Sequence, residues 1–536
     1  FFRWYCCLGS PAPFNDSTGM LTCAHHLNLL NRSWYETYCP YFVLMELLTG
    51  TKELKRPEKR VPLWAFALAV VVSLAVGGLL AMPLSIGGPG SLLPLRAGLP
   101  TAYLQRRAAT PSRFVTRVDS NILIPGNGAP IPNGSIVFSD ANQILFVGPR
   151  AEVPADLTAN RTVSVEAVMP GLWDCHTHFA GPLKLRDEPF KVDGILSSGA
   201  YPLNYVRFHA AVQDLQDALM MGVTSVRELG GPFGQALHEL VRTGWVQGPN
   251  FHYAGRAIGM TSGHTDEQTL PLDVFLQMDR ARLTTGTLCD GAAECLKRVR
   301  ENLRMQADVI KVMTSGGVLS EFDQPTDAEL SLHEIQAITA DAKRAKRAVA
   351  AHAHSSGGIL NAIVGGVTSI EHGTWMTEEQ ADLILKRDYM VYTPTITVVQ
   401  ELFNGTTRPA SLDDNQWRKG QEALHQHSRT VRMAIAKGMR IVTGTDCPAG
   451  CSEVGKEVNF LHMFGMTPLQ AIRAATGDAP RCMGQWGLAP KSGQLAVGFE
   501  ADVLGLAVSP LLDLRVLTRS ADITHVWKAG KAVKQP

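Results

Sequence analysis

Short apolar runs alternate with amphipathic helical patterns through residues 169–484 of the chain. The apolar runs predict buried strands, and the helical spacing between them predicts helices that pack against those strands. Regular alternation of strands and helices favours a parallel sheet. We therefore predict an α/β protein whose main domain is a (β/α)8 barrel, the TIM-barrel fold. The barrel strands are expected to end near His178, Glu228, Ile258, Met313, His354, His372, Ile396 and Asp446.

Capping residues mark the starts of several helices between these strands. Ser331 with Glu334, and Thr377 with Gln380, form capping-box patterns, in which paired side chains satisfy free N–H groups of the first turn. Thr467, followed directly by proline, gives a third start signal. Helices are therefore expected to begin just after positions 331, 377 and 467.

Residues 61–82 form an apolar stretch that is unlike the barrel pattern. The stretch is long enough to cross a bilayer core, which needs about 20 residues. Basic residues precede it, and positive residues tend to stay on the cytoplasmic side. We expect a single transmembrane or signal-anchor helix, with the barrel on the lumenal or extracellular side of the membrane. A cleaved signal peptide with secretion, and a buried core helix, are the alternatives.

Side chains that bind metals stand at the ends of several predicted strands. His176 and His178 close the first strand, where residues two apart point to the same side, so both imidazoles can reach one ion. Imidazole suits zinc and its first-row neighbours. Later strands end in His352, His372 and Asp446. Because a (β/α)8 barrel gathers such groups on one face, we expect them to converge on a metal site.

The ordered set of these histidines, a strand lysine and a strand-end aspartate resembles the amidohydrolase superfamily in its binuclear, carboxylated-lysine form. Four stretches are similar to the prolidase-like and imidazolonepropionase-related branch: Val223–Gly231, Lys311–Ser320, Ala351–Gly358 and Ile370–Thr374. The resemblance covers residues 113–536. It implies a metal-dependent hydrolase that cleaves carbon–nitrogen bonds with a metal-activated bridging hydroxide.

The resemblance also implies a set of metal ligands. Two divalent ions, with zinc as the expected metal, would be held by His176, His178, Lys311, His352, His372 and Asp446. Lys311 would bridge both ions as a carbamate formed with carbon dioxide, because an ammonium group cannot ligate a cation and burial favours the neutral amine. Asp446 would also be catalytic, taking the proton of the attacking water and passing it to the leaving nitrogen.

Three further side chains are candidate substrate contacts. His354 shares the strand of the expected ligand His352 and is assigned to the mouth of the barrel beside the metals. His264 lies in the loop after the third strand, where an ordinary loop histidine is the alternative, and Tyr253 is a candidate for the pocket wall. A second pair of histidines, 425 and 427, lies in a polar helical pattern. Residues two apart diverge on a helix, so this pair is expected on a solvated face.

Two more interpretations concern charged and cysteine pairs. Arg227 and Glu228 are expected to form a structural ion pair under the barrel mouth. The cysteine pairs 289/295 and 447/451 are candidate disulfides if the barrel is extracytoplasmic, with free thiols as the alternative. Many relatives carry His-Gly shortly after the aspartate, whereas this chain has Pro448–Cys451, which is expected to alter substrate selection.

The segments outside the barrel complete the predicted organisation. Residues 1–60 are an unassigned extension, and residues 83–112, rich in Gly, Pro and Ser, indicate a linker. Residues 113–168 and 485–536 contain short β-type runs on either side of the barrel. As in the superfamily that the chain resembles, we expect them to pair into one small β-sandwich domain.

The charge balance limits the classes of partner. A formal net charge of +1 gives no basic surface for nucleic acid, and no glycine-rich phosphate loop is evident, so a small-molecule substrate is expected. The prediction is a hydrolase of amide or dipeptide-like bonds. A cyclic amidohydrolase or deaminase resembling imidazolonepropionase, and a non-catalytic scaffold with the same fold, are the alternatives. A homo-oligomer stays open.

Overall fold

A computed structural model describes residues 114–179, 203–447, 450–485 and 491–536 of the chain. The predicted extension, membrane helix and linker, residues 1–112, lie outside the described residues. No helix within the described ranges is long and apolar enough to cross a membrane. The membrane span and the lumenal side assigned to the barrel therefore stay predictions.

Strands and helices alternate through the middle of the described chain. The strands are β1 (Val115–Leu123), β2 (Ile131–Pro132), β3 (Gly134–Ser139), β4 (Gln143–Pro149), β5 (Arg161–Pro170), β6 (Leu172–Thr177), β7 (Val223–Glu228), β8 (Asn250–Tyr253), β9 (Ala257–Gly259), β10 (Gly286–Leu288), β11 (Val309–Met313), β12 (Ala348–Ala353), β13 (Ser369–His372), β14 (Val391–Thr393), β15 (Val503–Leu506), β16 (Ile523–Lys528) and β17 (Lys531–Lys534). The α-helices are α1 (Leu203–Met220), α2 (Gly234–Arg242), α3 (Leu272–Arg280), α4 (Ala292–Arg304), α5 (Leu332–Arg344), α6 (Ser356–Gly365), α7 (Glu378–Leu385), α8 (Ile396–Phe403), α9 (Asp414–Ala436), α10 (Val454–Met463) and α11 (Pro468–Ala474). Three short 3-10 helices cover Arg150–Glu152, Ala479–Met483 and Leu514–Thr518.

The flanking β segments form one sheet of eight strands, with the order β17-β16-β15-β5-β1-β3-β4 and β2 paired to β1. Strand β5 joins the two segments that flank the barrel, because it pairs in parallel with β1 and antiparallel with β15. Phe138 and Trp527, one from each end, meet edge to face with ring centroids 5.6 Å apart. The predicted pairing of the flanks is thus confirmed, although the hydrogen bonds run through one continuous sheet rather than two sandwiched ones.

The central strands form the predicted parallel barrel. Strands β6, β7 and β8 make one run, and β9, β11, β12, β13 and β14 make the next, with β10 added beside β9. Strands β8 and β9 both lie along β11 and together form the third barrel position. Backbone bonds close the ring: Asp308 N–H donates to Tyr253 O, and Cys175 N–H donates to Thr443 O. The last barrel position is reduced to a parallel bridge between Tyr392 and Ile441. The prediction of a TIM barrel is therefore confirmed.

The seventh barrel strand is shorter than the sequence predicted. It was expected to end near Ile396, but β14 ends at Thr393 and Ile396 is the first residue of α8. The chain turns at Thr395, whose backbone has the left-handed conformation with φ 53°. The apolar β-branched residues at the start of α8 are typical of a strand in sequence. They are helical in the folded chain because propensity is a weaker signal than tertiary packing.

The helices pack around the barrel through one continuous apolar layer. Ile310 and Val349 from the strands belong to the same buried cluster as Ile335 and Ile338 of α5. Full burial of such a side chain contributes roughly 1.5–3 kcal/mol. The capping boxes expected at α5 and α7 are present, and Thr467 at α11 forms a third with the side chain of Gln470. These caps define the first residues of α5, α7 and α11.

Candidate active site

One cluster of metal-type donors joins the first and last barrel positions. The Nε2 atoms of His176 and His178 lie 3.5 and 3.3 Å from Asp446 Oδ1. The backbone holds this arrangement, because Asp446 N–H donates to His176 O at 2.8 Å. All three side chains offer a ligand atom within 4.8 Å of the others. The expected same-side projection of the two strand histidines is therefore what the structure shows.

A second cluster contains His352, His354 and His372, whose ligand atoms also lie within 4.8 Å of one another. The first two leave the end of β12 on the same side, and the third ends β13, where it is paired with Ala353. The two clusters meet, since the rings of His176 and His372 are 5.0 Å apart. The structure thus brings His354 into one cluster with His352 and His372.

The backbone is strained at two of these positions. His372 has φ 66° and Asp446 has φ 59°, in the left-handed region that non-glycine residues rarely adopt. Such conformations cost of order 1–3 kcal/mol each and persist where the surrounding structure enforces them, commonly at active sites. Both residues stand where barrel strands end, so the strained backbone lies at the two donor clusters.

Each of the five histidines is anchored through one ring nitrogen, which leaves the other nitrogen directed into the site. The anchored Nδ1 atoms and their partners are His176 with Glu371 Oε2 (3.0 Å), His178 with Gly230 O (2.7 Å), His354 with Thr374 Oγ1 (2.7 Å) and His372 with Thr395 Oγ1 (2.8 Å). His352 is the exception, because its Nε2 lies 3.2 Å from Gly316 O. This network assigns a free Nδ1 to His352 and a free Nε2 to the other four.

Burial keeps these imidazoles neutral. It lowers the pKa of His178 to about 4, and it lowers the pKa values of the other four well below their usual value. A protonated Lys311 amine adds to the effect on all five rings. A metal ion requires deprotonated ligands, so neutral histidines at pH 7 suit metal binding.

Lys311 stands in the middle of β11 with 1% of its surface exposed. Burial lowers the pKa of its amine to about 8, although the nearby Glu371 and Asp446 carboxylates favour the charged form. Burial likewise raises the pKa of Asp446 to about 7, opposed by the charge of Lys311. A buried amine with a pKa of about 8 is partly neutral near pH 7. The neutral amine is the form that reacts with carbon dioxide.

The donor set fits divalent metal ions of the zinc type. Imidazole nitrogens and carboxylate oxygens are the ligands that zinc and its neighbours take in hydrolytic sites. The two clusters supply separate groups of donors, and the Lys311 amine acts electrostatically on members of both. The two clusters therefore offer two groups of donors that could each hold a metal ion.

The other two candidate substrate contacts, His264 and Tyr253, lie in different parts of the structure. The His264 ring stacks on His352 with centroids 4.4 Å apart, and its Nδ1 lies 2.9 Å from Asp323 Oδ2. It also fills the space where Gly317 would carry a side chain. Tyr253 is not brought to this cluster: its hydroxyl donates to Met305 O and its ring lies 5.3 Å from that of His238 on α2. Tyr253 therefore packs between strand and helices.

The expected ion pair between Arg227 and Glu228 is wrong. Adjacent strand residues point to opposite sides, so the two side chains diverge. Arg227 instead donates to Glu371 Oε1 at 2.8 Å, inside the barrel. Glu228 is buried near the start of α2, against Gly231 and Gly234, and burial raises its pKa to about 8.

The predicted solvated face of α9 is also partly wrong. His425 is exposed, as expected, but His427 is wholly buried, with its Nε2 2.7 Å from Pro394 O. The face of α9 that contains position 427 packs against the end of β14, which the polar composition of the helix did not reveal. Residues two apart on this helix therefore have opposite environments.

Glu371, Asp174 and the hydroxyls of Thr374 and Thr395 support the site and were missed in the sequence. Asp174 accepts hydrogen bonds from the backbone of His176 (3.1 Å) and from Thr445 Oγ1 (2.6 Å), beside Asp446. A polar residue two positions before a ligand in a buried strand, as Asp174 is, would have been the available signal. Such residues orient metal-binding side chains.

Both predicted disulfides are present, Cys289–Cys295 and Cys447–Cys451. The second follows Asp446 directly, and Cys447 shares its left-handed backbone, with φ 49°. Replacing Cys447 and Cys451 together with serine is expected to loosen Asp446. We expect the Kd for divalent metal to rise about tenfold, which corresponds to ~1.4 kcal/mol.

Competition with a chromophoric chelator measures this change. The double serine variant at Cys289 and Cys295 is the matched control, because this disulfide lies at the start of α4, away from the ligands. Equal metal affinity in both variants would contradict a role for the Cys447–Cys451 disulfide in holding Asp446.

A parallel (β/α)8 barrel that collects histidines and an aspartate at the carboxyl ends of its strands, above a buried strand lysine, is typical of hydrolases with this fold. The family model described as "Amidohydrolase family" matches residues 167–533. Ochratoxinase of Aspergillus niger is 37% identical over 433 residues, covering 79% of this chain and 87% of the relative. The chain belongs to the amidohydrolase family, and it is a hydrolase that acts on carbon–nitrogen bonds.

Solved structures agree with this assignment. The crystal structure of A. niger ochratoxinase has a TM-score of 0.71 and 34% identity, covering 79% of this chain and 96% of that one. A Xaa-Pro dipeptidase with bound methionine has a TM-score of 0.67 and 26% identity, covering 78% and 100%. A prolidase complexed with N-methylphosphonate-L-proline has a TM-score of 0.68 and 25% identity, covering 79% and 100%. The resemblance to the prolidase-like amidohydrolases is confirmed.

Proposed function

We propose that the chain hydrolyses an amide or dipeptide-like bond with the help of two divalent metal ions, with zinc as the expected metal. The observation that carries the proposal is the meeting of two donor clusters, with the buried Lys311 close enough to act electrostatically on the histidines of both. In this assignment His176, His178 and Asp446 hold one ion, and His352 and His372 hold the other. Lys311, as a carbamate, bridges them.

A bound metal pair would polarise the scissile carbonyl and lower the pKa of an attacking water to near neutrality. The protein supplies the proton transfer. Asp446 Oδ1 lies beside both His176 and His178 at the mouth of the barrel, where the carboxylate could take a proton from water and give it up again. Asp446 would therefore carry this proton to the leaving nitrogen.

The named relatives favour an acyclic amide over a cyclic one. Ochratoxinase, a Xaa-Pro dipeptidase and a prolidase are similar to this chain over about four-fifths of its length. His264 and His354 would contact the substrate in this proposal, because the first stacks on His352 and the second lies 4.6 Å from His372 between ring centroids. Any assembly of the chain into an oligomer is left to measurement.

A substrate panel tests this function. Metal-reconstituted protein is assayed with N-acyl amino acids, dipeptides including Xaa-Pro, lactams, imidazolones and amino-substituted heterocycles. We expect turnover of the first two classes, at kcat/KM values in the usual enzyme range of about 10⁴ M⁻¹s⁻¹ or above for a good substrate. Turnover confined to lactams or imidazolones would support the cyclic amidohydrolase, and ammonia release from heterocycles would support the deaminase. A protein that binds no metal and turns over nothing would support the scaffold.

A further inference from the structure

Glu371 is a buried carboxylate in contact with one of the proposed ligands. It precedes His372 on β13, has no exposed surface, and points into the barrel rather than towards the mouth. Its Oε2 lies 3.0 Å from His176 Nδ1. Its Oε1 accepts hydrogen bonds from Arg227 Nη2 at 2.8 Å and from the Ser369 hydroxyl. Both carboxylate oxygens are therefore used within the protein.

Arg227 holds this carboxylate in place from β7. Its guanidinium has no exposed surface, and Nε donates to Cys175 O at 2.6 Å. Its Nη1 donates to Ser369 Oγ at 3.0 Å and to Cys482 O at 3.1 Å. A guanidinium fixed by four partners in this way presents a rigid positive charge to Glu371. These contacts hold the carboxylate against His176.

His176 differs in this respect from the other four histidines of the site. The ring nitrogens that anchor those four are bonded to neutral groups, namely the carbonyl oxygens of Gly230 and Gly316 and the hydroxyls of Thr374 and Thr395. Only the anchor of His176 is a carboxylate. A carboxylate bonded to the distal nitrogen of a histidine fixes its tautomer and raises the basicity of the ligating nitrogen.

We propose that Glu371, backed by Arg227, is a positioning residue that directs His176 Nε2 to one of the two metal ions and strengthens that ion's binding. This inference rests on the proposed function, because it assumes that His176 is a ligand. The chain of contacts runs from Arg227 through Glu371 to His176, and from there to Asp446 at 3.5 Å. The proposed ligands of the second ion are His352 and His372. Their rings are anchored by Gly316 and Thr395 and not by Glu371.

The substitution Glu371→Gln tests the proposal. The amide keeps the shape of the side chain but removes the charge, and its NH2 group can select the wrong tautomer of His176. We expect the Kd of one ion to rise by about 10- to 100-fold, with the second ion retained. The readout is a two-site titration of the metal-free protein with Zn2+ against a chromophoric chelator, supported by the d–d spectrum of the Co2+ form.

Two variants separate positioning from folding. Glu371→Gln leaves the buried Arg227 guanidinium without its carboxylate partner. The double variant Arg227→Met/Glu371→Gln removes both charges, so no unpaired charge is left in the barrel. Asp279→Asn is the matched control, because Asp279 is 2% exposed and pairs with Arg256 outside the site. Positioning predicts weak binding of one ion in both Glu371 variants and wild-type binding in Asp279→Asn.

Three results would overturn the inference: two tight ions in Glu371→Gln, recovery of both in the double variant, or equal loss in Asp279→Asn. Each of these leaves the proposed function intact if the wild-type protein binds two ions. If the wild-type protein binds none, the proposed function fails first. The outcomes are therefore distinguishable.

Discussion

Replacing Lys311 with alanine is expected to lower kcat/KM for amide hydrolysis by about 10³-fold, which corresponds to roughly 4 kcal/mol of barrier. The reason is that the proposed bridging ligand is lost, while the space of its buried side chain remains. A short carboxylate such as acetate or propionate can enter that space and supply two oxygens. We therefore expect activity to rise at least tenfold as carboxylate is added to the variant. Steady-state kinetics with and without carboxylate measure both effects.

Lys419 offers a matched control for this experiment. It is also fully buried, but its amine donates to the carbonyls of Gly317, Ser320 and Asp323 at 2.7–3.0 Å. Its loss is expected to disturb the loop over the mouth and to lower activity without any response to carboxylates. Full activity in Lys311→Ala, or equal rescue of both variants, would refute the bridging role.

The second large effect is expected for Asp446→Asn. The variant keeps the shape of the side chain but lacks a carboxylate to take up the proton of the attacking water. Loss of a positioned acid–base group typically costs 10²- to 10⁴-fold, so we expect kcat to fall by about 10³-fold. Metal content measured on the same preparation separates the two roles of Asp446, since loss of the ion and loss of proton transfer both reduce the rate.

Asp174→Asn is the control for that substitution. Asp174 is buried under the same loop and accepts from His176 N–H and from the Thr445 hydroxyl, but it does not face the cluster. An asparagine can keep most of these bonds, so a change of less than about tenfold is expected. Comparable losses in the two variants would mean that Asp446 acts only through the backbone of its loop.

Much of the barrel and of its donor set could be predicted from the sequence. The reason is that strand residues two apart share a side and that parallel strands end on one face. His176 and His178 close one predicted strand, and Asp446 closes another. These two facts are enough to predict that the three side chains lie close together. The pairing of Cys447 with Cys451 was predicted on another ground, the expected extracytoplasmic location of the barrel, with free thiols as the alternative.

What the sequence did not reveal depends on contacts across the barrel. From the sequence, Arg227 could pair with its neighbour Glu228 or with a carboxylate on the far side of the barrel. The folded structure pairs it with Glu371 of β13. His427 seemed solvated because its own helix is polar, but its burial depends on the strand that the helix covers. The position of Tyr253 also depends on tertiary contacts, since its side chain faces the helices rather than the mouth.

Metal analysis of the purified protein tests the central claim most directly. Inductively coupled plasma mass spectrometry is done on the wild-type protein and on single alanine variants of His176, His178, Lys311, His352, His372 and Asp446. The account predicts two divalent ions per wild-type chain and fewer in every variant, in step with the loss of amide hydrolysis. Wild-type protein that cleaves amides after complete removal of metal, or variants that keep both ions, would contradict it.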